Sequence, residues 1–353
     1  MSRRLPVAAQ RLDDPSRREF LGRVGGAGVL LAAGGASLLG GAPRAARAGV
    51  IPSAGPLNHL IELEGKFAGV AHAIEGGVLD VQVATLRPQE STSGWPTKHI
   101  ANIGCAPLAV RFGAGMTQGW YEWIRASAIP NSRPINGAIT TFDAAFQPMQ
   151  RINFTQAFLT ELSLPSLDSS VPTTGLMTAK LACDSCLPES PAPSGTISAP
   201  APASGKPWWQ GRFRLSIMGV ETSTQAAVSV NPPVFSCAVV TEEIGLSRAP
   251  TKHAARAEVS NLEFLVPLSA AGPLFAWYDT FVLRGQNQQK DERQGVLEFF
   301  SDDRKTLLAA LAYQNIGIQR LELVSAQASS PASLAKVSCY VESMSFSLNK
   351  LSF

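Results

Sequence analysis

Nine cysteine and histidine side chains in the 353 residues could act as nucleophiles or metal ligands. They are five cysteines (Cys105, Cys183, Cys186, Cys237, Cys339) and four histidines (His59, His72, His99, His253). No two histidines stand at a spacing that would place both on one metal ion, so each is expected on the surface or in a loop. Cys183-Asp184-Ser185-Cys186 is a C-x-x-C. A redox dithiol needs a helix N-terminus to lower a thiol pKa, whereas this pair follows a strand-like run and precedes a proline-rich stretch. A structural zinc site needs a second such pair or two histidines, and the sequence has neither. A local disulfide between Cys183 and Cys186, or inert thiols, therefore ranks above a metal, and a metal above redox catalysis. Five is an odd number, which leaves at least one thiol unpaired in a monomer. There is no G-x-S-x-G elbow, phosphate loop or dinucleotide fingerprint. Gly113-Ala114-Gly115 lacks a third glycine and reads as a turn. The expectation is no catalytic residue, no cofactor and no metal, so the chain is read as not an enzyme.

A second constellation addresses the chain rather than acting on a substrate. Ser16-Arg17-Arg18-Glu19-Phe20-Leu21 is a twin-arginine pattern, with Arg17, Arg18, Phe20 and Leu21 as its core. An uncharged Gly/Ala-rich run of about 16 residues follows, shorter than the roughly 20 needed to span a bilayer. Ala46-Arg47-Ala48 then offers a small-x-small cleavage site at Ala46 and Ala48. That order is the order of a Tat signal, so residues 1–48 are expected to engage the Tat translocase and be removed, with no stable membrane span. The product is periplasmic or extracellular, an environment that permits disulfides. The leader holds eight arginines and three acids, which leaves 22 basic and 24 acidic residues in the remainder. A near-neutral mature chain has no electrostatic reason to bind nucleic acid.

The remaining residues divide at 188–207, a stretch rich in Pro, Ser and Ala that cannot bury enough apolar surface to fold and reads as a linker. It separates residues 49–187 from 208–353, and the two segments repeat. Gly119-Trp120-Tyr121-Glu122 matches Ala276-Trp277-Tyr278-Asp279. Leu108 falls on Leu265. Ala179-Lys180-Leu181-Ala182-Cys183 matches Ala335-Lys336-Val337-Ser338-Cys339, and Val83-Ala84-Thr85 matches Val239-Val240-Thr241. Leu159, Leu162 and Leu164 fall on Ile318, Leu321 and Leu323. All shifts lie between 156 and 159 residues. Cys183 and Cys339 occupy equivalent positions, which suggests packing for both. In each unit an early strand ends at a glycine (Gly65, Gly219) and a second follows (78–85, 234–241). A polar loop then leads to a strand beginning at Leu108 in the first unit. Trp120, Trp123 and Ile124 at i, i+3, i+4 predict one short amphipathic helix. Residues 137–142 and 149–155 predict a hairpin, and 176–182 a last strand. The fold class is mainly β: two tandem antiparallel barrel or sandwich units, each with a short helix. Trp208-Trp209 opens the second unit and is expected to pin the linker rather than bind a ligand.

The run Pro107-Leu108-Ala109-Val110-Arg111-Phe112-Gly113-Ala114-Gly115 followed by Gly119-Trp120-Tyr121-Glu122-Trp123-Ile124 resembles the tail tube protein of contractile-tailed phages of the T-even type, a family related in fold to the tube protein of type VI secretion. Thr141-Phe142-Asp143 with Arg151-Ile152-Asn153-Phe154 continues the likeness, as does Glu298-Phe299-Phe300-Ser301-Asp302-Asp303 in the second unit. Family members are usually single units without a leader, and this chain departs on both counts. The resemblance implies a non-enzymatic structural protein that forms six-membered rings stacking into a tube, joined by extended strands. With two units per chain, three chains would close a pseudo-six-fold ring, and the partner would be the protein itself. A secreted binding or scaffold module reusing the fold without rings is the alternative, and a secreted enzyme with an unrecognised site is the second.

Overall fold

The structure, a computed structural model, describes residues 59–85, 95–113, 115–129, 132–143, 146–189, 208–242, 251–324 and 333–348. The leader, its cleavage site and residues 190–207 of the expected linker lie outside these.

The chain is mainly β and its strands pair antiparallel. Before residue 190 the order is β1 (His59–Leu63), β2 (Lys66–Ala71), β3 (Ala73–Gly76), β4 (Leu79–Thr85), β5 (Lys98–Cys105), β6 (Leu108–Phe112), helix α1 (Gln118–Ser127), β7 (Ile135–Phe142), β8 (Pro148–Ser163), β9 (Leu167–Asp168), β10 (Met177–Ala182) and β11 (Ser185–Pro188). Glu64 and Gly65 both take positive φ in the turn that reverses β1 into β2, a backbone state that glycine enters without a steric cost. The pairing runs β2-β1-β7-β8-β10-β6-β3. Only His72 separates β2 from β3, and its N–H donates to Arg111 O at 2.8 Å. The two ends of the sheet are thus one bent strand, and the sheet closes on itself as a small barrel. Val110, Phe112, Ile139, Leu159, Leu162, Ala179 and Leu181 fill the interior. Their alternation with exposed neighbours in β6 and β10 is the period of two that puts one face of a strand inside.

After residue 208 come β12 (Phe213–Ile217), helix α2 (Glu221–Thr224), β13 (Ser229–Asn231), β14 (Phe235–Glu242), β15 (Thr251–Val259), β16 (Leu262–Pro267), helix α3 (Gly272–Tyr278), β17 (Arg293–Phe300), β18 (Leu307–Val324) and β19 (Leu334–Leu348). The pairing runs β12-β17-β18-β19-β16-β13-β9. Here α2 stands between β12 and β13, and its buried Thr224 hydroxyl accepts from Ile217 N at 3.1 Å.

Strands also cross between the two segments. β14 pairs with β8 (Phe235↔Leu162, Ser236↔Glu161), and β9 pairs with β13 (Ser229↔Asp168, Val230↔Leu167). Tyr121 of α1 stacks on Phe346 of β19 at 6.2 Å. Trp208 is buried over Gly175 and meets Phe299 edge-on at 5.2 Å, so it anchors the start of the second segment.

The predicted helix, hairpin and last strand are present. Trp120, Tyr121 and Ile124 face inward, with Trp120 edge-on to Phe112 at 5.3 Å and Tyr121 Oη donating to Gly113 O at 2.7 Å. Several elements depart from the expectation. The loop expected before β6 contains β5, a strand whose sequence KHIANIGC has no clean alternation. β8 runs on past the expected end at residue 155 to Ser163, because Gln156 absorbs the bend at positive φ. Pro188 ends a strand rather than beginning the linker, and Glu189 N donates to Arg151 O at 2.8 Å. Proline is tolerated there because β11 pairs only with β8, and it is Glu189 N rather than residue 188 that donates into that ladder. His72, His99 and His253 are exposed, as expected, the last two within β5 and β15, and His59 is half-buried in β1.

Candidate functional site

β4 reads Leu-Asp-Val-Gln-Val-Ala-Thr, an alternation that ordinarily buries one face. Every residue of it is exposed, including Val81 at 42% and Val83 at 56%. Its partner β5 adds an exposed Ile100. The two form a sheet of their own, held at the base by Ala106 N donating to Val78 O at 2.9 Å and by the bond at Cys105. The β14–β15 hairpin follows the second segment's opening strands in the same order, but its base is covered. Phe235 and Cys237 are buried, and the first residues of β14 extend the β8 ladder just past the end of β7. The matching place on β18 is vacant of strands. β17 stops pairing at Ile316, β19 lines the other side to Val324, and no described strand lies along residues 318–324 on the β17 side. Leu323 on that edge is 65% exposed. An uncovered apolar hairpin and an unpaired strand edge are each sites for another chain.

The cysteines form the second cluster. The bond joins Cys105 at the end of β5 to Cys186 on β11, with Cα atoms 5.4 Å apart, and Cys183 remains a buried thiol. The local Cys183–Cys186 bond expected from the C-x-x-C is therefore not the one formed. Asp184 breaks the strand between β10 and β11, and Cys186 re-enters the β8 ladder opposite Phe154, where it meets Cys105. The three sulfur atoms lie within 4.8 Å of one another, the one such group of three soft or acidic ligands among the described residues. Lys252 of β15 reaches in from the second segment. Its Nζ donates to Cys183 O at 2.6 Å and Cys105 O at 3.2 Å, and its N–H donates to Asp184 Oδ1 at 2.8 Å. Burial pushes the Cys183 thiol up to about 12, with Lys252 pulling the other way. Cys237 and Cys339 are buried thiols elsewhere, and burial raises Cys339 as well. Sequence reasoning missed Cys105 as a member of the cluster because 78 residues separate it from Cys183. The segment that carries it reads as a loop, and nothing local in it points to the C-x-x-C.

A cleft of about 370 Å³ lies beside α3, lined by Trp277, Phe281, Gln286, Asp291 and Arg293. Its charged groups are occupied. Arg293 stacks 4.7 Å over Trp277 and donates to Met218 O, and Asp291 caps its own turn through Gln288 N at 3.1 Å. Burial lowers the Arg293 pKa. The histidines do not converge on it. His59 Nδ1 lies 3.1 Å from Thr141 Oγ1 and His253 faces Glu242 at 3.7 Å. Burial lowers His59, and burial with the nearby Arg111 charge lowers His72. No helix among the described residues is long and apolar enough to cross a membrane.

No family model matches the chain, and no curated protein matches it. Solved structures are similar to parts of it at low identity. One is from an extracellular contractile injection system, the PVC sheath–tube complex in its extended state, with 16% identity over 38% of this chain and 90% of that chain at a TM-score of 0.32. Another is the anti-feeding prophage cap, a tube-terminating cap, with 18% identity over 41% of this chain and 98% of that one at 0.32. A third is Hcp1 from Flavobacterium johnsoniae, with 10% identity over 39% of this chain and 99% of that one at 0.25.

Proposed function

We propose that the chain is an exported, non-enzymatic structural protein built of two tandem units that assembles head to tail into rings or tubes. The observation that carries this reading is the join within the chain: the β14–β15 hairpin of the second unit extends the β8 ladder of the first. The first unit's own hairpin, β4–β5, is the counterpart of β14–β15 and presents an uncovered apolar face. The second unit's β18 is the counterpart of β8 and presents the matching open edge. Repeating the internal join between chains puts β4–β5 of one copy on residues 318–324 of β18 in the next. A heterologous contact of this kind closes into a ring or runs on as a helix. Six equivalent joins would use three chains.

The tandem reading is supported by irregularities as well as by strands. Positive φ recurs at Phe146 and Arg304, 158 residues apart, and at Gln156 and Asn315, 159 apart. Gly137 and Gly295, also 158 apart, each sit where a Cβ would collide with a neighbouring strand. Export rests on the Arg17-Arg18 leader and cleavage after Ala48. Negative-stain electron microscopy of the protein from residue 49 onward, at high concentration, tests the assembly. Rings or tubes with six-fold appearance are expected. Isolated two-lobed particles at every concentration would refute assembly and leave a secreted binding or scaffold module.

A further inference from the structure

We propose that Cys105, Cys183 and Cys186 of the reduced chain form a thiolate site for a borderline-soft divalent metal ion of the zinc class. A structural disulfide needs two cysteines, and here a third buried sulfur lies within 4.8 Å of both bonded partners. A tetrahedral ion about 2.3 Å from each sulfur sets the sulfurs about 3.8 Å apart, so all three are within reach once the Cys105–Cys186 bond opens. The spacing is that of half a structural zinc site, C-x-x-C, and β5 supplies the third ligand that the sequence around it lacks. Charge points the same way. Three thiolates around a divalent ion leave one net negative charge in a buried place. The Lys252 ammonium, seated on the carbonyls of Cys183 and Cys105, supplies one positive charge. A buried charge is tolerated when it is paired. Among the described residues no carboxylate or histidine joins the three sulfurs, so the fourth position falls to water or another exogenous donor. The two states exclude each other. A dithiol reductant gives two electrons and two protons to the Cys105–Cys186 bond and leaves as its own disulfide. The ion then displaces three thiol protons as three metal–sulfur bonds form.

The test uses the purified protein, reduced with a dithiol under anaerobic conditions, freed of reductant and titrated with cobalt(II) alone. One equivalent is expected, with the intense thiolate-to-cobalt absorption of a sulfur-rich tetrahedral site, displaced by zinc(II). Cys183→Ala keeps the Cys105–Cys186 bond when oxidised, so its folding is checked in that state. Losing even an outer-shell partner costs about 10-fold or more in metal affinity, and loss of this ligand should cost at least that. Lys252→Met lies outside the ligand set and should weaken binding about 10-fold, while Cys339→Ala should leave it unchanged. A reduced wild-type chain that takes up no cobalt, or a Cys183→Ala variant that binds as tightly as wild type, overturns the proposal.

Discussion

The pairing of Cys105 with Cys186 makes a quantitative claim that separates it from the local alternative. The bond closes a loop of 81 residues, against 3 for Cys183–Cys186. In the chain-entropy description a loop of 81 constrains the unfolded state by about 4.5 kcal/mol at 25 °C, and a loop of 3 by only about 1.6 kcal/mol. The measurement is urea unfolding of oxidised and reduced protein in the presence of a chelator, so that no metal contributes. The quantity read is the stability gap between the two states within each variant, which cancels the cost of the substitution itself. Wild type should show a gap of about 3 to 4.5 kcal/mol. Cys183→Ala should keep it. Cys105→Ala should shrink it to about 1.6 kcal/mol or less, because the neighbouring pair is the best bond then left. If Cys183→Ala abolishes the gap while Cys105→Ala preserves it, the pairing and the reasoning built on it are wrong.

Four further outcomes are expected. Val81→Lys with Val83→Lys places charge on the uncovered hairpin; it should change monomer stability by no more than about 0.5 kcal/mol yet abolish rings, as read by sedimentation velocity. Gly137→Ala and Gly295→Ala should each cost about 1–3 kcal/mol in chemical unfolding, because the added methyl meets Glu62 O and Phe154 in one case and Ile316 in the other. Arg17→Lys with Arg18→Lys should hold the chain in the cytoplasm, whereas the wild-type product should begin at Gly49 by N-terminal sequencing; export of the double variant would remove the Tat assignment. Burial lowers the His59 and His72 pKa values below their ordinary 6.5, so between the folded and unfolded values the unfolded chain binds more protons. Stability should therefore fall as pH drops below about 6.5, and His59→Gln should flatten that slope in thermal melts.

The parts of the fold legible in the sequence are those with strong periodicity or an unambiguous punctuation mark. α1 was visible through Trp120 and Ile124, β6 and β10 through alternating burial, and the turns after β1 and β12 through Gly65 and Gly219. β5 was not, because the hairpin it forms with the fully exposed β4 has no buried face to impose alternation, and KHIANIGC reads as a loop. The full lengths of β8 and β18 were hidden for a different reason. Gln156 and Asn315 take a left-handed conformation in mid-strand, which shifts the inward face by one residue and breaks the pattern in two. The candidate interface was legible only as a resemblance. Which hairpin is covered and which is bare depends on pairings between residues more than 70 apart, such as Phe235 with Leu162. The cysteine cluster has the same character: the C-x-x-C is local and visible, while Cys105 and Lys252 arrive through tertiary structure.

The exchange of strands between the two segments has a mechanical consequence. β14 is sewn into the first sheet and β9 into the second, and Gly175 N, Gln210 N and Ser169 N add cross-bonds at 3.0, 2.9 and 2.9 Å. A pull along the chain would therefore load several hydrogen bonds at once in shear rather than stretch residues 190–207 as a tether. That stretch could be lengthened, or nicked by a protease, without letting the two segments swing apart. The two cross-bonded segments would answer such a pull as one body.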